Sequence, residues 1–412
     1  MTTGPAESVL KNAALRALLI GESISSTGSQ MTWLALPWFV LVTTGSPARM
    51  SFVAAFELGG FVLFGVPAGA VIERLGARRT MLVCDAIRCP LMLAIPVLHR
   101  ADALSFPLLL AIAAAEGLAT APYGPAQRVL VPELLGEDEA AIGRANALFQ
   151  SATRVTTLTG PPLAGALIAV IGATNVLVID SLTYVIAFLL LVFFVPRPSA
   201  SIAEQPLSDA SGLWGGLAYI RRDPVLRIWA AGLVAVDGFF QVIFLALPIL
   251  VVAHYGRDPR LAGILFGSWG AGAVVGNVFS YRYFSSAVRW SVVAPLAFAQ
   301  GIPLWLLVLP VAPPLLVAAL AVSGILNGLS NPTFHALITL RPPPTVRPKV
   351  LSAMYTASGL GGPLALLLAG PAFDNFDVRT VLAVATLGVC VALAFEASVS
   401  FLTGQPVQTS MQ

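Results

Sequence analysis

Six carboxylic acids sit where acids rarely do. Glu22, Glu57, Asp85, Glu116, Asp180 and Asp237 all lie within long apolar stretches, and away from their ends the apolar stretches of this chain hold only two bases, Arg88 and Arg154. A charge in such surroundings is costly, and unless paired it marks an ion path or a proton relay. Asp85 and Arg88 are three residues apart on one helical face and are expected to pair there as a structural ion pair. Arg154 can serve at most one further acid, so four carboxyls are left over. A carboxyl without a partner in an apolar setting favours its protonated form and can exchange a proton near neutrality. That is the chemistry of proton coupling. The competing reading of each acid is a neutral, hydrogen-bonded packing residue.

The elements that hold these acids follow from composition. The chain has 412 residues, 57% hydrophobic and 10% charged. A soluble domain carries roughly 25% charged residues to cover its surface, so the outer face of this protein is expected to meet lipid. A net charge of +3 offers no basic surface for nucleic acid. Cys84, Cys89 and Cys390 are odd in number and lack metal-type spacing, which predicts neither disulfides nor a metal site. No cofactor is expected. H-E-x-x-H, G-x-S-x-G and P-loop patterns are missing, so the chain is not read as an enzyme or an ATP-driven pump.

A membrane span needs about 20 apolar residues. Twelve candidates satisfy this: Leu15–Val42, Met50–Ile72, Met81–Leu98, Phe106–Tyr123, Ala147–Ile171 and Asn175–Val195, then Ile228–Val252, Leu261–Tyr281, Val292–Val311, Pro314–Ile338, Met354–Phe373 and Val381–Leu402. The first is too long for a cleavable signal and is expected to remain in the protein. The expected organisation is an N-terminal six-helix bundle (1–195), a linker (196–224) and a C-terminal six-helix bundle (225–412). Within the linker, Leu213, Trp214, Leu217 and Ile220 fall at helical spacing before Arg221 and Arg222. This predicts a short amphipathic helix at the membrane interface, the alternative being a solvated turn.

Basic residues set the orientation. With the N-terminus inside, the outer loops hold only Arg49, Arg100, Arg257, Arg260 and Arg379, against sixteen of the 23 basic residues on inner segments. Both termini, and the loops around Arg78, Arg144, Ser208 and Arg347, are therefore expected in the cytoplasm. Arginine greatly outnumbers lysine, which suggests a GC-rich bacterial genome and hence a bacterial inner membrane.

The halves echo each other. Gly117-Leu118-Ala119-Thr120 in the fourth span resembles Gly328-Leu329-Ser330-Asn331 in the tenth, and Gly160-Pro161-Pro162-Leu163 in the fifth resembles Gly361-Gly362-Pro363-Leu364 in the eleventh. Such repeats are common in transporters. Between the second and third spans, Gly65 and Gly69 form a small-xxx-small face expected to let another helix approach. Glu73, Arg74, Gly76, Arg78 and Arg79 follow. Gly76 suits a tight turn, and Glu73 could sit at the N-terminal end of a neighbouring helix.

This loop resembles the signature loop of the major facilitator superfamily, G-x-x-x-D-R-x-G-R-R. Gly69, Arg74, Gly76, Arg78 and Arg79 match it once Ala77 is allowed as an insertion, and Glu73 stands for the Asp. The resemblance implies that the loop locks one of two access states. Gly160, Pro161, Pro162 and Gly165 are similar to the family's antiporter motif in the fifth helix, the alternative being a simple helix kink. Leu36-Pro37-Trp38-Phe39, Asp85-Ala86-Ile87-Arg88, Arg144-Ala145-Asn146-Ala147 and Ile179-Asp180-Ser181-Leu182 resemble the exporter branch of macrolide-efflux and enterobactin-export proteins. Two departures stand out. Gly28-Ser29 replaces that branch's Gly-Asp, and Glu116 has no helix-4 arginine beside it.

The resemblance implies an all-α integral membrane fold, twelve helices in two pseudo-symmetric six-helix bundles, with helices 1, 4, 7 and 10 around a central cavity. Glu22, Glu116 and Asp237 fall on the first three and become the proton-coupling candidates. Gln30, Trp33, Gln241, Asn327 and Asn331 become substrate-cavity candidates, with His335 more often a packed polar residue. The implied activity is export of amphipathic, drug-like small molecules by proton antiport with alternating access. The alternative is a carrier for another metabolite, such as a siderophore, lipid-linked compound or nutrient. The expected partners are the bilayer, a small-molecule substrate and protons, with the chain a monomer.

Overall fold

Helix starts and stops are written locally. Asp138, Asp223 and Asp377 each accept backbone N–H groups of the first turn that follows, and Ser105 does the same for Leu108. Gly76, Gly136 and Gly172 end helices with positive φ. A computed structural model, which describes residues 11–65, 67–136, 138–197, 210–283 and 290–398, has fifteen α-helices among them, some bounded by these signals. They are α1 Ala13–Thr44, α2 Pro47–Gly65, α3 Ala68–Leu75, α4 Ala77–Arg100, α5 Phe106–Thr120, α6 Tyr123–Leu135, α7 Glu139–Ile171, α8 Ala173–Phe194, α9 Ala210–Arg222, α10 Pro224–His254, α11 Pro259–Tyr283, α12 Trp290–Ala299, α13 Pro313–Leu340, α14 Arg347–Asn375 and α15 Val378–Ala397. A 3₁₀ turn, Pro303–Leu307, follows α12. Among the described residues no strand occurs.

Ten of the helical segments are long and apolar enough to cross a membrane. The first span, α1, falls short of that hydropathy because Glu22, Ser23, Ser25, Ser26, Thr27, Ser29 and Gln30 give it a polar middle. The ninth is broken, with α12 ending before the 3₁₀ turn. Together these account for the twelve expected spans. Several boundaries differ from the expectation. The second span gives way at Pro67 to the separate helix α3. The fourth does not stop near Tyr123 but runs on through α6, and the fifth and eleventh begin earlier, at Glu139 and Arg347. Apolar runs mark only the lipid-deep part of a helix, whereas these helices continue into polar sequence.

Contacts divide the chain into two compact units, Met1–Thr43 with Phe56–Leu207, and Thr44–Ala55 with Ser208–Gln412. Residues 44–55 group with the second unit through Asp374, which accepts the Ala48 N–H at 3.2 Å, and through Ser51, which donates to the Leu366 carbonyl at 2.6 Å. Much of the linker, with Ser208, lies outside the described residues. Its second half forms α9, whose Ile220 is buried with Leu226, Trp229 and Val350 while Trp214 is exposed.

The internal echo has a physical counterpart in each unit. In the first, any side chain at Gly117 would strike the Glu57 carbonyl of α2, and one at Gly160 would strike Gln30 of α1. In the second, Gly328 lies as close to the Ala273 carbonyl of α11, and Gly361 to that of Val234 on α10. Lipid supplies no hydrophobic force between helices, so small residues that let backbones touch carry the packing. Gly65, in contrast, has no atom of the described residues within 4 Å of where its side chain would be. The break at Pro67 ends the small-xxx-small face there.

Candidate transport site

The acids of the first unit gather around one guanidinium. Arg88 reaches from α4 to Glu116 on α5, Nε to Oε1 at 3.0 Å, with both side chains buried. Its Nη2 donates to Ser29 on α1 at 3.0 Å and to the Tyr184 hydroxyl on α8 at 2.8 Å. The guanidinium also lies over the Tyr184 ring, 4.1 Å from its centre. Tyr184 has one proton to give, to Asp180 at 3.2 Å or to Glu116 at 3.3 Å. Asp180 is fully buried and accepts Thr32 at 2.5 Å and Thr183 at 3.2 Å. Gly28 leaves room for it, since a side chain there would collide with the Asp180 carboxyl.

The expected Asp85–Arg88 pair is not made. Asp85 is fully buried on α4, and neither carboxylate oxygen has a hydrogen-bond partner among the described residues. The longer arginine can cross to a neighbouring helix, where one acid, one hydroxyl and one phenol fit its fork, while the short Asp85 stays behind. Glu116 thus meets an arginine from α4 rather than from its own helix, and the same arginine donates to Ser29. Oε2 of Glu116 and Oε2 of Glu22 are also buried without partners among the described residues. Glu22 lies near Tyr123 of α6, and Glu57 is within electrostatic reach of Glu116 and Asp180. Glu116 alone bonds Arg88, and Glu22, Glu57, Asp85 and Asp180 lie within electrostatic reach of the same guanidinium, five carboxyls around one base. Arg154 is exposed on α7 and makes no ion pair among the described residues.

In the second unit Asp237 accepts a hydrogen bond from Ser358 of α14. Gln241, one turn along and half-buried, is not that partner. Gly238 sits against Gly361 of α14, which brings α10 and α14 together beside the acid. Glu396 on α15 was not among the acids expected in spans, although it lies within the twelfth. It is 4% exposed, its Oε1 has no partner among the described residues, and it is within electrostatic reach of Asp237. A full count of acids inside each span would have found it.

The cavity candidates are dispersed. In the first unit Gln30 is half-buried and Trp33 is 42% exposed. In the second, the Asn327 amide donates to Gln300 at 3.0 Å, Asn331 is half-buried, and His335 stacks on Tyr355 with Nδ1 3.1 Å from its hydroxyl. Pro161 and Pro162 do not interrupt α7, and Gly165 is buried on it.

The signature loop divides its residues between two tasks. Gly76, at φ +80°, turns the chain from α3 into α4. Glu73, Arg74 and Arg79 are exposed, Gly69 is half-buried, and Glu73 caps no helix among the described residues. Arg78 is buried and donates to the carbonyls of Val195 at 2.7 Å, Leu191 at 3.0 Å and Val192 at 3.1 Å. It closes the C-terminal end of α8, where unsatisfied carbonyls and the helix dipole favour a cation. Arg78→Ala is therefore expected to destabilise the protein by about 2 kcal/mol, in addition to any effect on turnover. A thermal midpoint in detergent checks this. An unchanged midpoint would show that the three bonds contribute nothing.

The sequence profile of the Major Facilitator Superfamily matches residues 18–366. The chain belongs to the major facilitator superfamily. It is a multi-pass membrane carrier of small molecules, not an enzyme. The superfamily's relatives of this chain include the multidrug efflux pump Tap of Mycobacterium tuberculosis, 26% identical over 91% of both chains. Tap of Mycolicibacterium fortuitum is 25% identical over 88% of this chain and 90% of its own. Macrolide efflux protein A of Streptococcus pyogenes is 20% identical over 90% and 93%. Among solved structures, the nucleoside transporter NupG aligns with a TM-score of 0.75 at 15% identity, covering 94% of this chain and 99% of NupG. A bacterial homolog of the human lysosomal transporter Spinster gives 0.74 at 15% identity, covering 98% and 99%. These structures share the superfamily's twelve-helix fold with this chain.

Proposed function

We propose that this protein exports amphipathic, drug-like small molecules in exchange for protons, by alternating access. The observation that carries the reading is the group of five carboxyls around Arg88. One guanidinium balances one carboxylate, and the surplus charge cannot remain uncompensated in an apolar bundle. Protons are the available counter-charge, so a change of conformation that alters the surroundings of Arg88 also alters how many protons the unit holds. The efflux pumps among the relatives support the direction of transport and the class of cargo. The same reading keeps both termini in the cytoplasm. A cysteine at Ser208, in a chain lacking Cys84, Cys89 and Cys390, should then resist an impermeant thiol reagent in intact cells.

A susceptibility panel tests the function directly. A pump-deficient bacterial host expressing the protein should tolerate at least some lipophilic drugs several-fold better than the same host without it, and collapsing the proton gradient should remove the difference. Equal susceptibility of both hosts to the whole panel would overturn the export reading.

A further inference from the structure

The second unit contains an apolar cleft between α10 and α15, with a volume of about 550 Å³, within the range of small-molecule sites. Ala231, Ala235 and Phe239 form one wall, with Val384, Leu387, Val391 and Phe395 opposite. Val384 is 62% exposed and Val391 60%, so the cleft opens on the outward apolar face of α15, which in a membrane protein meets acyl chains. Gly232 lines one end. The Glu396 carboxyl lies directly over that glycine, so close that any side chain at position 232 would overlap it. Oε1 of Glu396 is buried and has no hydrogen-bond partner, and no arginine or lysine among the described residues pairs with it.

We infer that this cleft binds lipophilic cations taken up from the bilayer, with the aromatic or aliphatic body between α10 and α15 and the positive centre beside Glu396. An acyl chain would fill the apolar walls equally well but would leave the acid unanswered. A cation with an apolar body satisfies both, because it can take the place of the proton that a carboxyl without a partner otherwise keeps. Gly232 is the residue that makes this possible: it lines the cleft, and the Glu396 carboxyl, not itself among the lining residues, lies directly behind it with no side chain between. The inference deepens the export reading by naming a class of cargo, and it rests on that reading for the consequence of binding; the binding itself does not require transport.

Two measurements on the purified full-length protein test it, neither of which needs turnover. The first compares tetraphenylphosphonium with triphenylphosphine oxide, a neutral molecule of similar body. Glu396→Gln should weaken phosphonium binding about tenfold, the value of one charge-assisted contact, and leave the neutral molecule within twofold. Should that variant fail to fold, a benzophenone-bearing phosphonium on the unaltered protein decides the matter. Its adducts should map to residues 231–239 or 384–395 and be displaced by excess tetraphenylphosphonium. A phosphonium affinity changed less than threefold by Glu396→Gln, adducts only elsewhere, or adducts displaced by added phospholipid and not by the cation would each overturn the inference. Cation binding at the cleft without any resistance in the susceptibility panel would leave this site standing and remove the export reading instead.

Discussion

Arg88→Met should abolish uphill export and lower the stability of the folded protein by about 3–5 kcal/mol, the usual consequence of removing one partner from a buried ion pair. Arg88 is the cation on which Glu116, Ser29 and Tyr184 converge from three other helices. Its loss leaves five carboxyls without a counter-charge and leaves three helices without their common donor. Arg88→Lys should not restore activity, because an ammonium cannot present Nε to Glu116 and Nη2 to Ser29 and Tyr184 at once. The double variant Arg88→Met with Glu116→Gln should regain part of the stability but none of the export, since it removes the orphaned charge along with the switch. Thermal midpoints in detergent and drug accumulation in a pump-deficient host separate the two effects. Export at the parental rate by Arg88→Met would show that the carboxyl group around it is only scaffolding.

Neutralising the carboxyls is the second large effect. Asp237→Asn preserves the acceptor for Ser358 and removes the titration. Glu116→Gln preserves an acceptor for Arg88, and Glu22→Gln removes an acid whose Oε2 is buried without a partner. In liposomes under an imposed pH gradient, at least one of these variants should export at less than about a hundredth of the parental rate, in line with the loss of a proton-transfer group. Its downhill exchange of substrate should survive. Binding without uphill transport is the signature of lost coupling, because the site remains while the proton no longer drives the change of access. The parental rate in all three single variants and in the triple variant would place coupling elsewhere, with Glu57 the next acid to replace.

The behaviour of Arg78 and Arg88 illustrates what local sequence can and cannot convey. Both were legible as arginines under constraint, one in a basic loop and one deep in a span. Neither partner could be named. Arg78 closes α8, whose last carbonyls lie more than a hundred residues further along the chain. Arg88 passes over Asp85, the partner that helical spacing offered, for Glu116 and Tyr184. Spacing reports which residues share a face of one helix; a long guanidinium chooses among neighbours on several helices, and only packing brings those together.

The membrane character, the twelve spans, the internal echo and the superfamily were determined by the sequence itself. Each rests on a local or periodic property: apolar run length matched to bilayer thickness, arginine placement, and glycines recurring at equivalent positions. The individual acids were also visible, because a carboxyl in an apolar run stands out without any knowledge of its neighbours. Tertiary structure decided which of them share a counter-charge, that Ser29 and Tyr184 complete the group around Arg88, that Gly117 and Gly328 perform the same packing task in their two units, and that Glu396 lies against Gly232 at the end of a cleft. These relations join side chains from helices far apart in the chain. They depend on how closely small residues let the backbones approach, a property of helix pairs that no single span carries in its own sequence.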